Sequence, residues 1–237
     1  DFVFENILKA VCNTSDFYRK FYAYRLMNKG RKNRYDGNWR GIGVAVGCQY
    51  NGLHILVKSG MNYSAEITLT KDDKVLVKAD PTSEGLKRIL KKQIAKELEV
   101  EDNQIIFLGA STDEMIPTGA ATASCGISIL PDLIEKCCTG IKNQRFRKPL
   151  PITVSKTYKL PRSKDWDNET LTGNPFISET PGACVIELEL DPSTYQIIVR
   201  GIWFACDPGK IYSKKMVHRN IHKTIANAVS NISVEDI

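Results

Sequence analysis

The chain has 237 residues, of which 42% are hydrophobic and 25% are charged, so we expect a packed core in one large domain or two small ones. Its net charge of +6 is spread along the chain and does not by itself indicate nucleic-acid binding. No apolar run approaches the roughly 18 residues of a membrane span, and no signal peptide opens the chain, so we expect a cytoplasmic protein that does not bind membranes.

The first 48 residues predict two helices and a strand. Residues 3–28 show helical spacing of apolar side chains, with a polar break at residues 13–15 that is a plausible cap for the second helix. A basic loop follows over residues 29–38. Residues 41–48 are apolar and rich in residues that favour strands.

The next stretch predicts a hairpin and a helix. Residues 65–70 and 75–79 alternate between apolar and polar around a charged turn, which is typical of two antiparallel strands. Asp80 followed by Pro81 predicts a helix start, because proline is favoured at the first helical position. One apolar stripe then runs through the predicted helix at Leu86, Ile89, Leu90, Ile94 and Leu98.

The centre of the chain is a junction between a predicted strand, residues 105–108, and a predicted helix, residues 127–134. Small and hydroxyl side chains fill this junction at Thr118, Gly119, Ala120, Ala121, Thr122 and Ser124. Free backbone N–H groups at a helix N-terminus bind anions, and small residues let a ligand approach them. An ordinary N-terminal cap on a core helix is the alternative interpretation.

The last part of the chain predicts a connector, a second hairpin and a final helix. Residues 142–164 are basic and contain three prolines, and residues 165–181 are polar. Aromatic residues are sparse in the connector, so a solvated linker is favoured over a nucleic-acid surface. Residues 182–190 and 196–205 form the second hairpin pattern, and residues 214–232 the final helix. Two rounds of hairpin followed by helix predict an α+β fold, and the pattern also allows two subdomains, 1–145 and 146–237.

The cysteines and histidines do not indicate a metal centre. Seven cysteines occur without any Cys-x-x-Cys spacing, and Cys137 and Cys138 are adjacent, so we predict reduced thiols with this pair on or just after a helix. His218 and His222 lie four residues apart, a spacing that can place two metal ligands on one helix face. Arg219 beside them favours a solvated basic face instead.

Three passages carry a family resemblance. Residues 4–43 end in the strand Arg-Gly-Ile-Gly, residues 112–124 resemble a "TDxxPxxxGTxAS" segment, and residues 182–191 resemble a "GA…EVEVD…TG" hairpin. In this order and spacing, they resemble the second half of the molybdopterin-binding domain of the xanthine dehydrogenase/aldehyde oxidase family. The likeness spans nearly all 237 residues.

The resemblance implies that residues 1–237 are a partial molybdopterin-binding domain. It implies part of the cradle for the molybdenum cofactor, formed by Thr118, Gly119, Ala120, Ala121, Thr122, Ser124 and Asn220. It implies no catalytic residue and no metal ligand in this chain. It also implies a hydroxylase that acts on an N-heterocycle or an aldehyde, with the remaining molybdopterin half and the iron–sulfur and flavin parts as partners.

The chain departs from the family where glycines and amides surround the cofactor. The family's Gly-Gln-Gly loop falls on Glu84, Gly85 and Leu86, and its later Gly-Gly falls on Lys223 and Thr224. Bulky or charged side chains there prevent the close backbone approach that glycine permits. The family's molybdenum loop and its base glutamate belong to segments that this sequence does not contain.

Two hypotheses follow from the resemblance. The chain is a fragment or subunit of a molybdenum hydroxylase, or it is a non-catalytic descendant that serves assembly or binding. We predict that the isolated chain folds without molybdenum and has no hydroxylase activity. If it binds a small anion, we expect the anion near residues 118–121 or near Arg219 and Lys223.

Overall fold

The computed structural model describes residues 2–33, 35–53, 62–108, 116–117, 119–159, 166–167 and 169–230. It divides into two compact units, one combining residues 1–49 with 180–237 and the other comprising residues 50–179. We call them the split unit and the central unit. Residue 145 lies inside the central unit.

The chain alternates between helices and strands. The helices are α1 (Phe2–Ser15), α2 (Phe17–Lys29), α3 (Glu84–Leu98), α4 (Cys125–Gln144) and α5 (Lys214–Ser230). The strands are β1 (Trp39–Leu53), β2 (Ser64–Leu69), β3 (Val75–Lys78), β4 (Ile105–Phe107), β5 (Ile152–Thr157), β6 (Trp166–Asp167), β7 (Thr172–Gly173), β8 (Phe176–Leu190) and β9 (Ile197–Cys206).

The central unit is built on a four-stranded sheet of order β4-β3-β2-β5. The predicted hairpin is confirmed, since β2 and β3 pair antiparallel with Ile67 opposite Val77. β5 pairs antiparallel on the other side of β2, and β4 pairs parallel with β3. The sheet presents alternate residues to one side, so Ala65, Ile67 and Leu69 of β2 are all buried there.

Two helices complete the core of the central unit. Helix α3 buries the stripe of Leu86, Leu90, Ile94 and Leu98, and α4 lies between α3 and the strands β2 and β5. Cys137 and Cys138 are on α4 and fully buried, so their predicted place on a helix is confirmed. Burial raises the pKa of Cys137 to about 11 and that of Cys138 to about 12.

The split unit has a smaller core on a three-stranded sheet of order β1-β8-β9. β8 and β9 pair antiparallel as predicted, with Val185 opposite Trp203. Helix α1 contacts β9. The buried apolar residues of this core are Ile7, Val11, Cys12, Ile42, Ala183 and Val185.

Two buried glutamates extend this core along β8. Glu187 and Glu189 alternate with half-buried Leu188 and are both less than a tenth exposed. The Lys20 ammonium lies 2.6 Å from Oε2 of Glu187, and the Tyr24 hydroxyl donates to Oε1 of the same carboxylate. Both donors are on α2, so Glu187 ties this helix to the sheet.

Glu189 joins β8 to its neighbours in the same way. The Asn38 side chain donates to Oε1 of Glu189 at 2.8 Å, and Nε of Arg40 donates to Oε2 at 3.1 Å. Arg200 lies 3.7 Å from the same carboxylate. The hydrogen bond from Asn38, together with the charges of Arg40 and Arg200, holds the pKa of Glu189 below its ordinary value.

Burial alone would raise the pKa of Glu187. The hydrogen bonds from Lys20 and Tyr24 outweigh that effect, so the pKa of Glu187 also lies below its ordinary value. Lys20 additionally lies 4.5 Å from the centre of the Trp203 ring. That ring in turn covers Gly201, where an added Cβ would overlap it.

Several element boundaries differ from those predicted. Helix α3 begins at Glu84 and not at Pro81, because the Ser83 side chain accepts a hydrogen bond from the Leu86 N–H and caps it. The break between the first two helices is Asp16, in the left-handed conformation, rather than residues 13–15. Helix α4 continues to Gln144, well beyond residue 134.

The basic connector is also more structured than predicted. It contains β5, whose buried Ile152 and Val154 complete the central sheet. The polar loop after it contains β6, β7 and the start of β8 at Phe176. The α+β class itself is confirmed, and no helix within the described ranges has the length and apolar character needed to cross a bilayer.

Candidate functional site

The predicted junction lies immediately before α4 in the central unit. Residues 109–115 and Thr118 are outside the described residues, so the site consists of Gly119 to Ser124. A turn of 3-10 helix over Thr122–Ser124 leads into α4. Gly119, Ala121, Thr122 and Ser124 are exposed, so the junction forms an open edge of small side chains.

Tyr63 holds this edge in place. Its hydroxyl donates to the Ala120 carbonyl at 2.9 Å, and the Ser64 N–H donates to the Pro117 carbonyl at 2.7 Å. Gly119 has a φ of 71°, and a Cβ added there would overlap the Tyr63 ring. Gly119 is therefore required by the packing of Tyr63 and by its own backbone conformation.

Burial raises the pKa of Tyr63 far above its ordinary value, so the hydroxyl stays protonated and remains a donor. Sequence reasoning missed this residue. Tyr63 directly precedes β2, and its hydrogen-bond partner Ala120 lies 57 residues further along the chain. The residues around Tyr63 contain no pattern that predicts such a distant contact.

The start of α4 is fixed by a buried cysteine. Cys125 is fully buried, and its Sγ accepts a hydrogen bond from the Leu53 N–H at 3.1 Å. This contact fixes the first turn of the helix to the end of β1 and explains why a cysteine follows the exposed junction. Sequence reasoning missed this residue as well.

The backbone before α4 has an unusual conformation for residues with a Cβ. Ala123 and Ser124 are both left-handed, with φ values of 49° and 62°. The Ser124 side chain makes no capping hydrogen bond to the helix. Ser124 therefore does not cap α4 with its side chain. The Cys125 N–H donates instead to the Thr122 carbonyl, so the 3-10 turn satisfies part of the helix start.

The residues Glu84 to Leu86, where the family has its Gly-Gln-Gly loop, form a closed helix start. Ser83 caps α3, and Leu86 is buried. A Cβ added to Gly126, in the first turn of α4, would lie 3.3 Å from Cδ2 of Leu86. Leu86 therefore fills the space beside the start of α4 with an apolar side chain.

The part of the cradle that the resemblance places at Asn220 belongs to the split unit. Asn220 is exposed on α5, as are Arg219 and Lys223. Only the apolar stripe of this helix is half-buried, at Val217, Ile221, Ile225 and Val229, which agrees with the predicted stripe up to Ile232, a residue outside the described part. The structure thus places Asn220 in a different compact unit from Gly119–Ser124.

The described residues contain no cluster of three or more side chains suited to a metal ion. His218 and His222 are exposed on α5, as a solvated basic face requires. All seven cysteines are free thiols, as predicted.

The residues present leave room for part of the molybdenum cofactor at one of these three places. Exposed small side chains from Gly119 to Ser124 can admit an anionic group such as a phosphate beside the start of α4. The capped start of α3 and its buried Leu86 leave no such approach.

Comparisons with known proteins show the family of this chain. The model of the molybdopterin cofactor-binding domain family matches residues 18–148 and 141–237. No curated protein sequence matches the chain.

Several solved structures share the fold. Aldehyde oxidoreductase from Desulfovibrio desulfuricans has a TM-score of 0.61 and 19% identity, over 84% of this chain and 23% of its own. CO dehydrogenase from Oligotropha carboxidovorans has a TM-score of 0.69 and 14% identity, over 93% and 32%. Quinoline 2-oxidoreductase from Pseudomonas putida 86 has a TM-score of 0.54 and 17% identity, over 94% and 33%. The chain thus spans a quarter to a third of the length of these proteins, and the resemblance inferred from the sequence is confirmed.

Proposed function

Since the chain belongs to the molybdopterin cofactor-binding domain family, we propose that it is a fragment or subunit of a molybdenum-dependent hydroxylase. The hydroxylase is of the xanthine dehydrogenase/aldehyde oxidase type and acts on an N-heterocycle or an aldehyde in the cytoplasm. This chain supplies part of the molybdopterin cradle. The remaining molybdopterin half and the iron–sulfur and flavin parts are its partners.

The observation that carries the proposal is the exposed edge at the start of α4. Small residues from Gly119 to Ser124 precede a helix of 20 residues whose first turn Ser124 does not cap. The positive end of the helix dipole favours an anion at this position. We assign Gly119, Ala120, Ala121, Thr122 and Ser124, together with Thr118 and Asn220, to cofactor contacts.

When bound, the cofactor would supply the molybdenum that accepts electrons from the substrate. The residues of this chain have a narrower task. Gly119–Ser124 binds and orients an anionic group, and Tyr63 holds the edge in position through Ala120. We assign no catalytic residue or metal ligand to this chain.

A non-catalytic descendant of the same fold is the second candidate. The buried Leu86 and the Ser83 cap favour it, because they replace the loop where the family has Gly-Gln-Gly. Gly119 is also compatible with it, since the packing of Tyr63 and the positive φ explain the glycine without any ligand. The two candidates differ in whether the assembled protein holds molybdenum.

The test is to purify the tagged chain from its own cells under native conditions, and separately as an isolated chain from cells that make the cofactor. Molybdenum and oxidised pterin are then assayed in both. We expect no molybdenum in the isolated chain and nearly one atom per chain in the complex. A complex without molybdenum would leave the non-catalytic candidate.

Thr122→Glu tests the assigned edge. A carboxylate at a helix N-terminus does not destabilise the helix, but it repels an anionic cofactor. We expect the variant complex to lose most of its molybdenum. Thr139→Glu, at an exposed position of the same helix, is the control and should keep it.

A further inference from the structure

Helix α2 carries aromatic side chains on both of its sides. Phe17 and Tyr24 pack against the core of the split unit, whereas Tyr18, Phe21 and Tyr22 are exposed. A surface helix ordinarily turns its apolar side inward, so the exposed aromatic side chains need an explanation.

The inward contacts of α2 combine the packing of Phe17 and Tyr24 with hydrogen bonds and an ion pair. Lys20 and Tyr24 both bond to the buried Glu187, and the Asn28 side chain donates to the Arg40 carbonyl at 2.7 Å. No residue of α2 is fully buried. The helix is therefore fixed to its sheet while its other large apolar side chains remain exposed.

The outward side carries Tyr18, Tyr22 and Leu26, which are 62%, 62% and 71% exposed. They lie four residues apart, so they form one stripe about 12 Å long on the helix surface. Phe21 and Met27 flank the stripe and are also exposed.

The aromatic rings on α2 are ordered by one another. Phe17 packs edge-on against Tyr18 at 5.5 Å between ring centres, and Phe21 does the same against Tyr22 at 5.6 Å. Tyrosines that are already ordered lose little side-chain entropy on binding, which is one reason they are enriched at the centres of protein interfaces.

Cationic side chains border the stripe. Arg25 and Lys29 are exposed, and neither forms an ion pair with any residue that the structure describes. Two copies of this surface would place cations against cations, which opposes self-association. A partner that fits has an apolar groove bordered by carboxylates.

We propose that the exposed side of α2 docks the chain onto the rest of its molybdenum hydroxylase, at an apolar groove bordered by aspartates and glutamates. The inference rests on the proposed function. The solved proteins with this fold are three to four times longer than the matched region, so a large protein surface is available as the partner.

The experiment starts from the native complex described above. Its other subunits are identified by their molybdenum, iron–sulfur or flavin content, separated from the tagged chain, and titrated with purified variants. Tyr22→Asp should weaken binding about tenfold or more, and Arg25→Glu combined with Lys29→Glu should weaken it and remove its salt dependence. Phe146→Asp is the matched control, since Phe146 is 93% exposed and lies between two arginines, yet it belongs to the central unit.

Circular dichroism must show that each variant keeps the fold, and Tyr22→Ser is the milder substitute where Tyr22→Asp does not. Binding that neither Tyr22 variant weakens overturns the docking proposal while the proposed function stands. The proposed function itself is overturned if the native preparation contains no other part of a molybdenum hydroxylase, either as a separate subunit or on the same polypeptide. The variants are also tested for self-association, for binding to phosphatidylserine vesicles and for binding to a single-stranded oligonucleotide. A Tyr22 variant that weakens one of these associations instead of binding to the hydroxylase also overturns the docking proposal.

Discussion

The central unit and the split unit are stabilised by different interactions. The central unit buries a large apolar cluster between two helices and a four-stranded sheet. The split unit buries a much smaller apolar cluster and adds two carboxylates, Glu187 and Glu189, that hold α2 and the segment Asn38–Arg40 by hydrogen bonds and charge. One chain therefore contains a core that depends on packing and a core that depends on ionisation.

The two cores differ in how strictly they fix the positions of their helices. An apolar core tolerates shifts in helix position more readily than a buried charge does, because a charge without its partner is costly in a poorly solvated site. Glu187 thus selects one position for α2, with Lys20 and Tyr24 at the carboxylate. In that position, Tyr18, Tyr22 and Leu26 of α2 remain exposed.

The largest effect is expected in the packing core. Leu90 is fully buried on α3, so Leu90→Ala should reduce the free energy of unfolding by about 3 kcal/mol, because it removes apolar contacts and leaves a cavity. Urea denaturation measures the change, and hydrogen exchange should locate it in the central unit. Ile89→Ala, at a half-buried position of the same helix, is the control, and an equal loss there would contradict the packing argument.

A smaller effect is expected in the ionisation-dependent core. Glu187→Gln removes the charge that Lys20 and Tyr24 bind, and it should cost about 2 kcal/mol, the scale of hydrogen bonds to a charged group. Hydrogen exchange should show the loss in α2. Glu5→Gln removes an exposed ion pair with Lys9 and should change stability by less than about 0.5 kcal/mol.

Acid should weaken the split unit before the central unit. Glu187 and Glu189 have lowered pKa values in the folded chain, so their contribution is fully present above about pH 4.3, the ordinary value for an unfolded glutamate. It is lost as the pH falls further through the folded pKa values. Hydrogen exchange at decreasing pH, corrected for intrinsic rates, should show α1 and α2 opening first, and simultaneous opening of both units would contradict the comparison.

The order in which the thiols react should distinguish the cores, and this measurement requires no substitution. Cys137 and Cys138 are fully buried with pKa values raised to about 11 and about 12, so a thiol reagent at neutral pH should reach them last. Half-buried Cys48 should react before them. Mass spectrometry gives the order, and denatured, non-reduced chain should release all seven thiols.

The sequence predicted the elements that have a strong local pattern. The β2–β3 and β8–β9 hairpins and the stripe of α3 followed from alternation and helical spacing. It did not predict β5, because the lysines and prolines around Ile152 and Val154 mask a strand that only its pairing with β2 stabilises. The sequence predicted a helix start at Pro81, because proline is favoured at the first helical position. The Ser83 cap places the start at Glu84 instead.

The candidate site was predictable only in part. Residues 119–124 were identified by their small size before a helix, and the structure places them on an exposed edge. Tyr63 and Cys125, which hold this edge, act through contacts with residues 57 and 72 positions away. Such distant contacts leave no mark on local composition.

The stack of Lys20, Trp203 and Gly201 constrains how this protein can diverge. The indole covers the glycine so closely that a side chain at residue 201 requires the ring of Trp203 to move. The lysine above the ring is also the partner of Glu187, so it cannot change independently. Relatives of this chain should therefore exchange these residues together, and a lineage that replaces Trp203 with a smaller residue is the one in which Gly201 becomes free to vary.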